Sequence, residues 1–75
     1  RLGLYPNPSK NEISISELDA EFCKEILIFD MTGRVMKHFN NDVRFDVSDL
    51  PNGLYMMRVV TEEGRRYTEK FMISK

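Results

Sequence analysis

Two side chains in this sequence have the types that make a nucleophilic pair, Cys23 and His38, and the chain has one cysteine and one histidine in total. A thiol beside an imidazole attacks carbonyl carbon when the two meet in space. A strand histidine and a lone cysteine in so short a chain are far more often packing or surface residues. A single cysteine excludes an internal disulfide, and with a single histidine it excludes the Cys/His zinc sites of small domains. Asp42, Asp46 and Asp49 are close in sequence. They lack the alternating D-x-D-x-D-G loop that wraps calcium, so solvated loop carboxylates stand against a loose calcium site. Glu62 and Glu63 sit at a hairpin tip, where solvent levels their acidity, whereas acid–base catalysis needs a cleft. Arg65, Arg66 and Lys70 form a small basic patch suited to keeping an edge strand soluble. There is no glycine-rich phosphate loop. Without tryptophan, only Tyr5 and Tyr67 are candidate exposed rings for stacking on a sugar. The reading is therefore of a non-enzyme with no catalytic residue, no metal site and no cofactor.

The composition agrees. The chain has 75 residues, 41% hydrophobic and 31% charged, the balance of one small globular domain. Eleven basic residues against twelve acidic ones leave a net charge of −1, without the basic footprint of a nucleic-acid binder. No apolar run approaches the roughly 20 residues of a membrane-spanning helix. The opening RLGLYPNPSK has neither an initiator methionine nor a charged-then-apolar leader, which reads as a module of a longer chain.

The elements that must position these residues have a period of two. Leu2–Tyr5, Glu12–Ser16, Glu25–Phe29, Arg34–Phe39, Val43–Val47, Leu54–Thr61 and Arg66–Ser74 read as seven strands. Pro6-Asn7-Pro8-Ser9 breaks the chain after the first, because proline lacks a backbone donor and keeps its predecessor extended. Asp30-Met31-Thr32-Gly33 reads as a hairpin with Asp30 bonding the turn backbone and Gly33 at positive φ. Pro51-Asn52-Gly53 is a further turn, Glu62-Glu63-Gly64 the last hairpin, and Ser48–Leu50 one helical turn. Glu17–Lys24 fits either a helical turn or a loop that tucks Leu18 and Phe22 onto the core. The fold class that follows is all-β, a seven-stranded antiparallel sandwich.

Alternation assigns Ile13, Ile15, Ile26, Ile28, Val35, Val43, Phe45, Leu50, Tyr55, Met57, Val59, Phe71 and Ile73 to the inside. Leu27, Phe29, Met36, His38, Met56, Val60 and Met72 then fall on the other face. That second face is richer in Met and Phe than a solvated sheet needs. A shifted register or cover by the Glu17–Lys24 segment explains it, and so does a docking surface, since methionine adapts to varied partners. The run Arg65–Ile73 reads as an edge strand whose Phe71-Met72-Ile73 end is a template for pairing, which leads us to expect a homodimer or strand-swapped assembly at high concentration, and the same open edge would suit capture by a partner protein through strand addition.

Four pieces occur in order. They are L-Y-P-N-P-S (Leu4–Ser9), I-L-I-F-D-M-T-G-R-V (Ile26–Val35), V-S-D-L-P-N-G-L-Y-M-M-R-V (Val47–Val59) and K-F-M-I-S-K (Lys70–Lys75). Together they resemble the type A C-terminal sorting domain of the type IX (Por) secretion system of Bacteroidetes, over essentially the whole chain. The resemblance implies an immunoglobulin-like sandwich over residues 1–75, with 1–9 as the linker-proximal strand and turn. It implies a non-catalytic secretion signal behind an N-terminal cargo domain, recognised by an outer-membrane translocon and then removed by a sortase-like peptidase. The cargo would pass through the periplasm to the outer membrane and cell surface, or be secreted. Asp30, Gly33 and Arg34 match the family's D-x-x-G-R hairpin, Gly53 and Tyr55 its G-x-Y, and Lys70, Phe71, Ile73 and Lys75 its tail. We assign Asp30, Gly33, Gly53 and Tyr55 structural roles. Arg34, Lys70, Phe71, Ile73 and Lys75 are the expected contacts of the sorting machinery. A lone thiol crossing an oxidising compartment favours a buried Cys23. The rival reading is an immunoglobulin-like adhesive or spacer module of a cell-surface enzyme.

Overall fold

Alternating apolar and polar residues commit each strand to one covered face, and two such faces must close on each other. The computed structural model describes residues 3–16, 23–40 and 42–75. Seven strands are present: β1 (Leu4–Tyr5), β2 (Glu12–Ile15), β3 (Cys23–Asp30), β4 (Val35–Phe39), β5 (Arg44–Asp46), β6 (Gly53–Thr61) and β7 (Arg66–Ile73). They form a three-stranded sheet in the order β1-β2-β5 and a four-stranded sheet in the order β4-β3-β6-β7, with every pairing antiparallel. The fold is the expected all-β sandwich, consistent with an immunoglobulin-like domain. Of the segment Glu17–Lys24, expected as a helical turn or loop, Cys23 and Lys24 instead open β3, and the expectations for Leu18 and Phe22, like that for Leu2 in the first strand, lie outside the described residues.

The core takes Ile13 and Ile15 from β2 and Phe45 from β5. Opposite them are Cys23, Ile26 and Ile28 of β3, Tyr55, Met57 and Val59 of β6, and Phe71 and Ile73 of β7. Phe39 of β4 lies with its ring centroid 4.9 Å from that of Phe45, joining an edge strand of one sheet to an edge strand of the other. Val47, which shares the face of Phe45 by alternation, is completely buried, whereas Val43, expected inside, is only half-buried.

One register error in the sequence reading has a clear cause. Val35, expected inside, is 51% exposed, and Met36, expected outside, packs against the core. The β3–β4 ladder runs Ile26↔Phe39, Leu27↔His38, Ile28↔Lys37 and then jumps to Phe29↔Val35, leaving Met36 without a direct partner. A bulge of one residue reverses the faces of everything on its far side.

Both tight hairpins use the same five-residue device. In Asp30–Arg34, the Asp30 carbonyl accepts the Gly33 N–H (3.1 Å), and the Asp30 N–H donates to the Arg34 carbonyl (3.0 Å). Asp30 Oδ1 accepts the N–H groups of Thr32 (2.9 Å) and Arg34 (3.0 Å). In Thr61–Arg65, the Thr61 carbonyl accepts the Gly64 N–H (2.9 Å), and the Thr61 N–H donates to the Arg65 carbonyl (2.9 Å). Thr61 Oγ1 accepts the Arg65 N–H (3.1 Å). Gly33 and Gly64 have φ of 89° and 86°, the left-handed position that closes a three-residue hairpin loop. The shared spacing, a side-chain acceptor three residues before Gly-Arg, was legible in the sequence as T-E-E-G-R beside D-M-T-G-R. Ser48–Leu50, expected as a helical turn, is a single turn closed by the Leu50 N–H on the Val47 carbonyl (3.0 Å).

Tyr55 pins the turn before β6. Its ring is 5% exposed and lies 5.8 Å from that of Phe71, its cross-strand partner. Its hydroxyl donates to the Pro51 carbonyl at 2.6 Å, a link from a strand's start to the backbone just upstream that immunoglobulin-like sandwiches commonly make.

Two stability outcomes follow. Gly33→Val costs about 1–3 kcal/mol, all of it backbone strain, since a Cβ at Gly33 meets nothing within 4 Å; an unchanged thermal melt would refute the assignment. Tyr55→Phe costs about 1 kcal/mol in denaturant unfolding, the net worth of one hydrogen bond, with the ring packing retained.

Candidate recognition surface

The residues named from the sequence separate into three places. Asp30, Gly33 and Arg34 form the β3–β4 hairpin described above. Thr32 Oγ1 also donates to Asp30 Oδ1 (2.6 Å), and this bond leads the effects that hold the Asp30 carboxyl below the ordinary aspartate value of 3.8. Arg34 Nε lies 3.4 Å from Asp30 Oδ2, with the side chain 74% exposed. Because Thr61–Arg65 builds the same turn without an aspartate, the D-x-x-G-R pattern is accounted for as turn chemistry. The Arg34 side chain is left facing solvent, together with the loop side chains of Met31 and Thr32. Gly53 opens β6, where its register partner is Ile73, and Tyr55 is in the core. Burial leads the effects that push the Tyr55 phenol up.

The tail residues alternate. Phe71 and Ile73 are each 1% exposed and belong to the core, while Lys70 is exposed and Met72 is 41% exposed. Lys75 turns back onto the β5–β6 connection. Its Nζ donates to the carbonyls of Ser48 (2.6 Å) and Leu50 (2.9 Å), and its N–H donates to Asn52 Oδ1 (3.0 Å). An ammonium group on two turn carbonyls is a charge-assisted cap. No residue pattern signals it, because the partners are backbone atoms some 25 residues away in the chain.

On the outward face of the four-stranded sheet, Leu27, Phe29, Met56 and Val60 are only half-exposed. Long polar side chains share their rows. Leu27 is flanked by His38 and Arg58, and Val60 by Glu25 and Arg66. The Arg58 guanidinium carbon sits 4.8 Å from the centroid of the Phe29 ring, a cation–π contact that also lays the arginine stem over the sheet. His38 Nε2 lies 3.0 Å from Glu25 Oε2. The apolar groups left open are Val35, at 51%, and the cross-strand pair Leu54 and Met72, at 45% and 41%. Leu54, which was not among the candidates, thus lies beside Met72 and next to the row of Met56 and Lys70.

The remaining chemistry-bearing candidates are not brought together. Cys23 is buried in the core, and His38 faces outward against Glu25. Asp49 pairs with Lys37 Nζ at 2.8 Å, the leading reason its carboxyl lies below the ordinary value. Asp46 Oδ1 accepts the Ser48 N–H at 2.9 Å, and hydrogen bonding to Ser48 holds its carboxyl low. Among the described residues, no group of three His, Cys, Asp or Glu side chains is placed to hold a metal ion.

The outer edge of β7 is partly occupied. The Ser9 N–H donates to the Met72 carbonyl (2.8 Å), and the Ser74 N–H donates to the Ser9 carbonyl (2.8 Å). Asn7 Oδ1 accepts the Met72 N–H (3.0 Å). Ser9 is fully buried, and Ser9 and Ile73 form a parallel bridge. The Phe71–Ile73 end, expected to be an open template, is covered by the Pro-Asn-Pro-Ser segment, so the expected homodimer loses that basis.

A comparison with curated proteins gives no match. The family model described as "secretion system C-terminal sorting domain" matches residues 3–74, a span that includes the N-terminal segment, both hairpins and the β7 tail. On that match the chain belongs to the family of secretion-system C-terminal sorting domains, the sorting signals of type IX secretion.

Proposed function

We propose that this domain is read in its folded state, by an outer-membrane translocon that contacts the outward-facing side of β7 and its surroundings. The family is non-catalytic in general and directs export across the outer membrane to the cell surface or the medium. The observation that supports the folded-state reading is the alternation of the tail. Phe71 and Ile73 serve the core, while Lys70 and Met72 face solvent beside Leu54. Phe71 and Ile73 thus act on sorting through the fold. Lys70, Met72 and Leu54 make the contact, with the exposed Arg34 side chain on a neighbouring turn. Lys75 acts by holding the tail against the Ser48–Leu50 turn. Cargo carried on the N-terminal side passes through the periplasm, and a sortase-like peptidase removes the domain by cutting upstream of the Tyr5–Pro8 segment.

Deletion of Phe71–Lys75 in a cargo fusion leaves the cargo in the periplasm, and normal surface display of that deletion would refute the sorting role. The double variant Lys70→Glu/Met72→Glu distinguishes a surface from a fold effect. Its thermal melt stays near wild type, since both side chains face solvent. Surface display falls about tenfold, as for the loss of about 1.4 kcal/mol of binding. Undiminished display of the folded double variant would place the contact elsewhere. Lys75→Met frees two turn carbonyls to water and lowers stability by about 1 kcal/mol in denaturant unfolding.

A further inference from the structure

The outer edge of β7 has two unlike halves. The Met72 N–H and C=O point away from β6, since both are bonded to the Asn7–Ser9 segment. Backbone groups alternate in direction along an antiparallel strand, so those of Arg66, Thr68 and Lys70 point away from β6 as well. Among the described residues no strand pairs with β7 on that side, and the bridge from Ser9 reaches only Ile73. Among the described residues, no strand covers the outward backbone groups of Arg66, Thr68 and Lys70, while Met72–Ser74 is closed.

The closing segment holds by little. On its other flank β7 pairs with β6 over eight residues, from Gly53↔Ile73 to Val60↔Arg66. The Asn7–Ser9 segment makes two hydrogen bonds to Met72 of β7, one of them through a side chain, and a third to Ser74 just beyond the strand. Pro6 and Pro8 have no N–H to add. Pro6, Asn7, Pro8 and Lys10 are exposed, and only Ser9 is buried, its hydroxyl bonded to the Pro6 carbonyl. The segment is tethered at both ends, by β1 on β2 and by the Asn11 carbonyl on the Val47 N–H (2.9 Å). Such a strap can leave the edge without leaving the domain.

We propose that the outer edge of β7 is a strand-acceptor site, with the Asn7–Ser9 strap as its resident occupant, and that an extended segment of a partner protein docks on Arg66–Lys70 and displaces the strap from Met72–Ser74. Strand addition of this kind draws its affinity from main-chain hydrogen bonds, which the open half supplies as a first foothold. The proposal deepens the sorting reading by naming how a partner engages the domain. Its test uses the purified chain and no export assay, so either can fail alone.

Amide hydrogen exchange on the isotope-labelled full chain reads the site residue by residue. In the wild type, the Met72 and Ser74 amides are protected while those of Thr68 and Lys70 exchange quickly. Asn7→Ala/Ser9→Ala removes the side-chain acceptor and the hydroxyl that shapes the strap, and speeds exchange at Met72 and Ser74 about tenfold with the β3–β6 ladder still protected. A synthetic peptide of residues 5–10 then restores protection and shifts the resonances of Met72–Ser74 in the variant, whereas a scrambled peptide does neither. Unchanged exchange at Met72 and Ser74 in the variant, or no response to the peptide, overturns the proposal. If the double variant does not fold, Asn7→Ala alone decides. Faster exchange at Ser74, whose acceptor is the Ser9 carbonyl that Asn7→Ala leaves in place, supports a displaceable strap, and exchange at Ser74 equal to wild type overturns it.

Discussion

The ladder between β6 and β7 is the constraint on which the rest of the domain depends. It registers Tyr55 with Phe71 and Gly53 with Ile73, and so carries side chains from near the end of the described chain into the centre of the core. A sandwich of this size has few residues to spare, and burial per residue falls steeply as a domain shrinks. With one cysteine and therefore no internal disulfide, the hydrophobic contacts across the sandwich supply most of the stability. The same strand must then hold the core with one face and meet the surroundings with the other. Segregating the two duties onto odd- and even-numbered residues is what a period of two permits.

Much of this was legible because strands write their geometry into alternation. Ile13 and Ile15, Ile26 and Ile28, and Tyr55, Met57 and Val59 declare their inward faces, and glycine with its flanking polar residues declares the turns. Val35 and Met36 were misread because a bulge leaves no mark in the pattern. The residue it inserts is itself apolar, so either register looks acceptable. The Lys75 cap and the Asn7–Ser9 strap were hidden for another reason. Both bond to backbone atoms, whose positions depend on the folded path and not on the type of any distant residue. The outward face of the sheet looked too apolar because composition does not record that Arg58 lies across Phe29.

The two hairpins refine the meaning of a motif. D-M-T-G-R and T-E-E-G-R close loops with the same backbone bonds, one using a carboxylate as the side-chain acceptor and the other a hydroxyl. The glycine answers a need of the backbone, while the residue four places before the arginine needs only an oxygen at the right height. The closing bonds use only the arginine backbone, and the Arg34 side chain, though it reaches back to Asp30 Oδ2, stays largely exposed. A surface role is therefore sought in what these turns display, with their closure already explained.

The strap links Asn7 and Ser9 to Met72 and Ser74, residues about 65 positions apart. A ribosome releases the first of these long before the last, and no shorter version of the chain contains both halves of the clasp. The finished shape therefore certifies that synthesis has run through β7. A chain broken off earlier carries every turn and most of the strands, yet it lacks the surface that β7 displays.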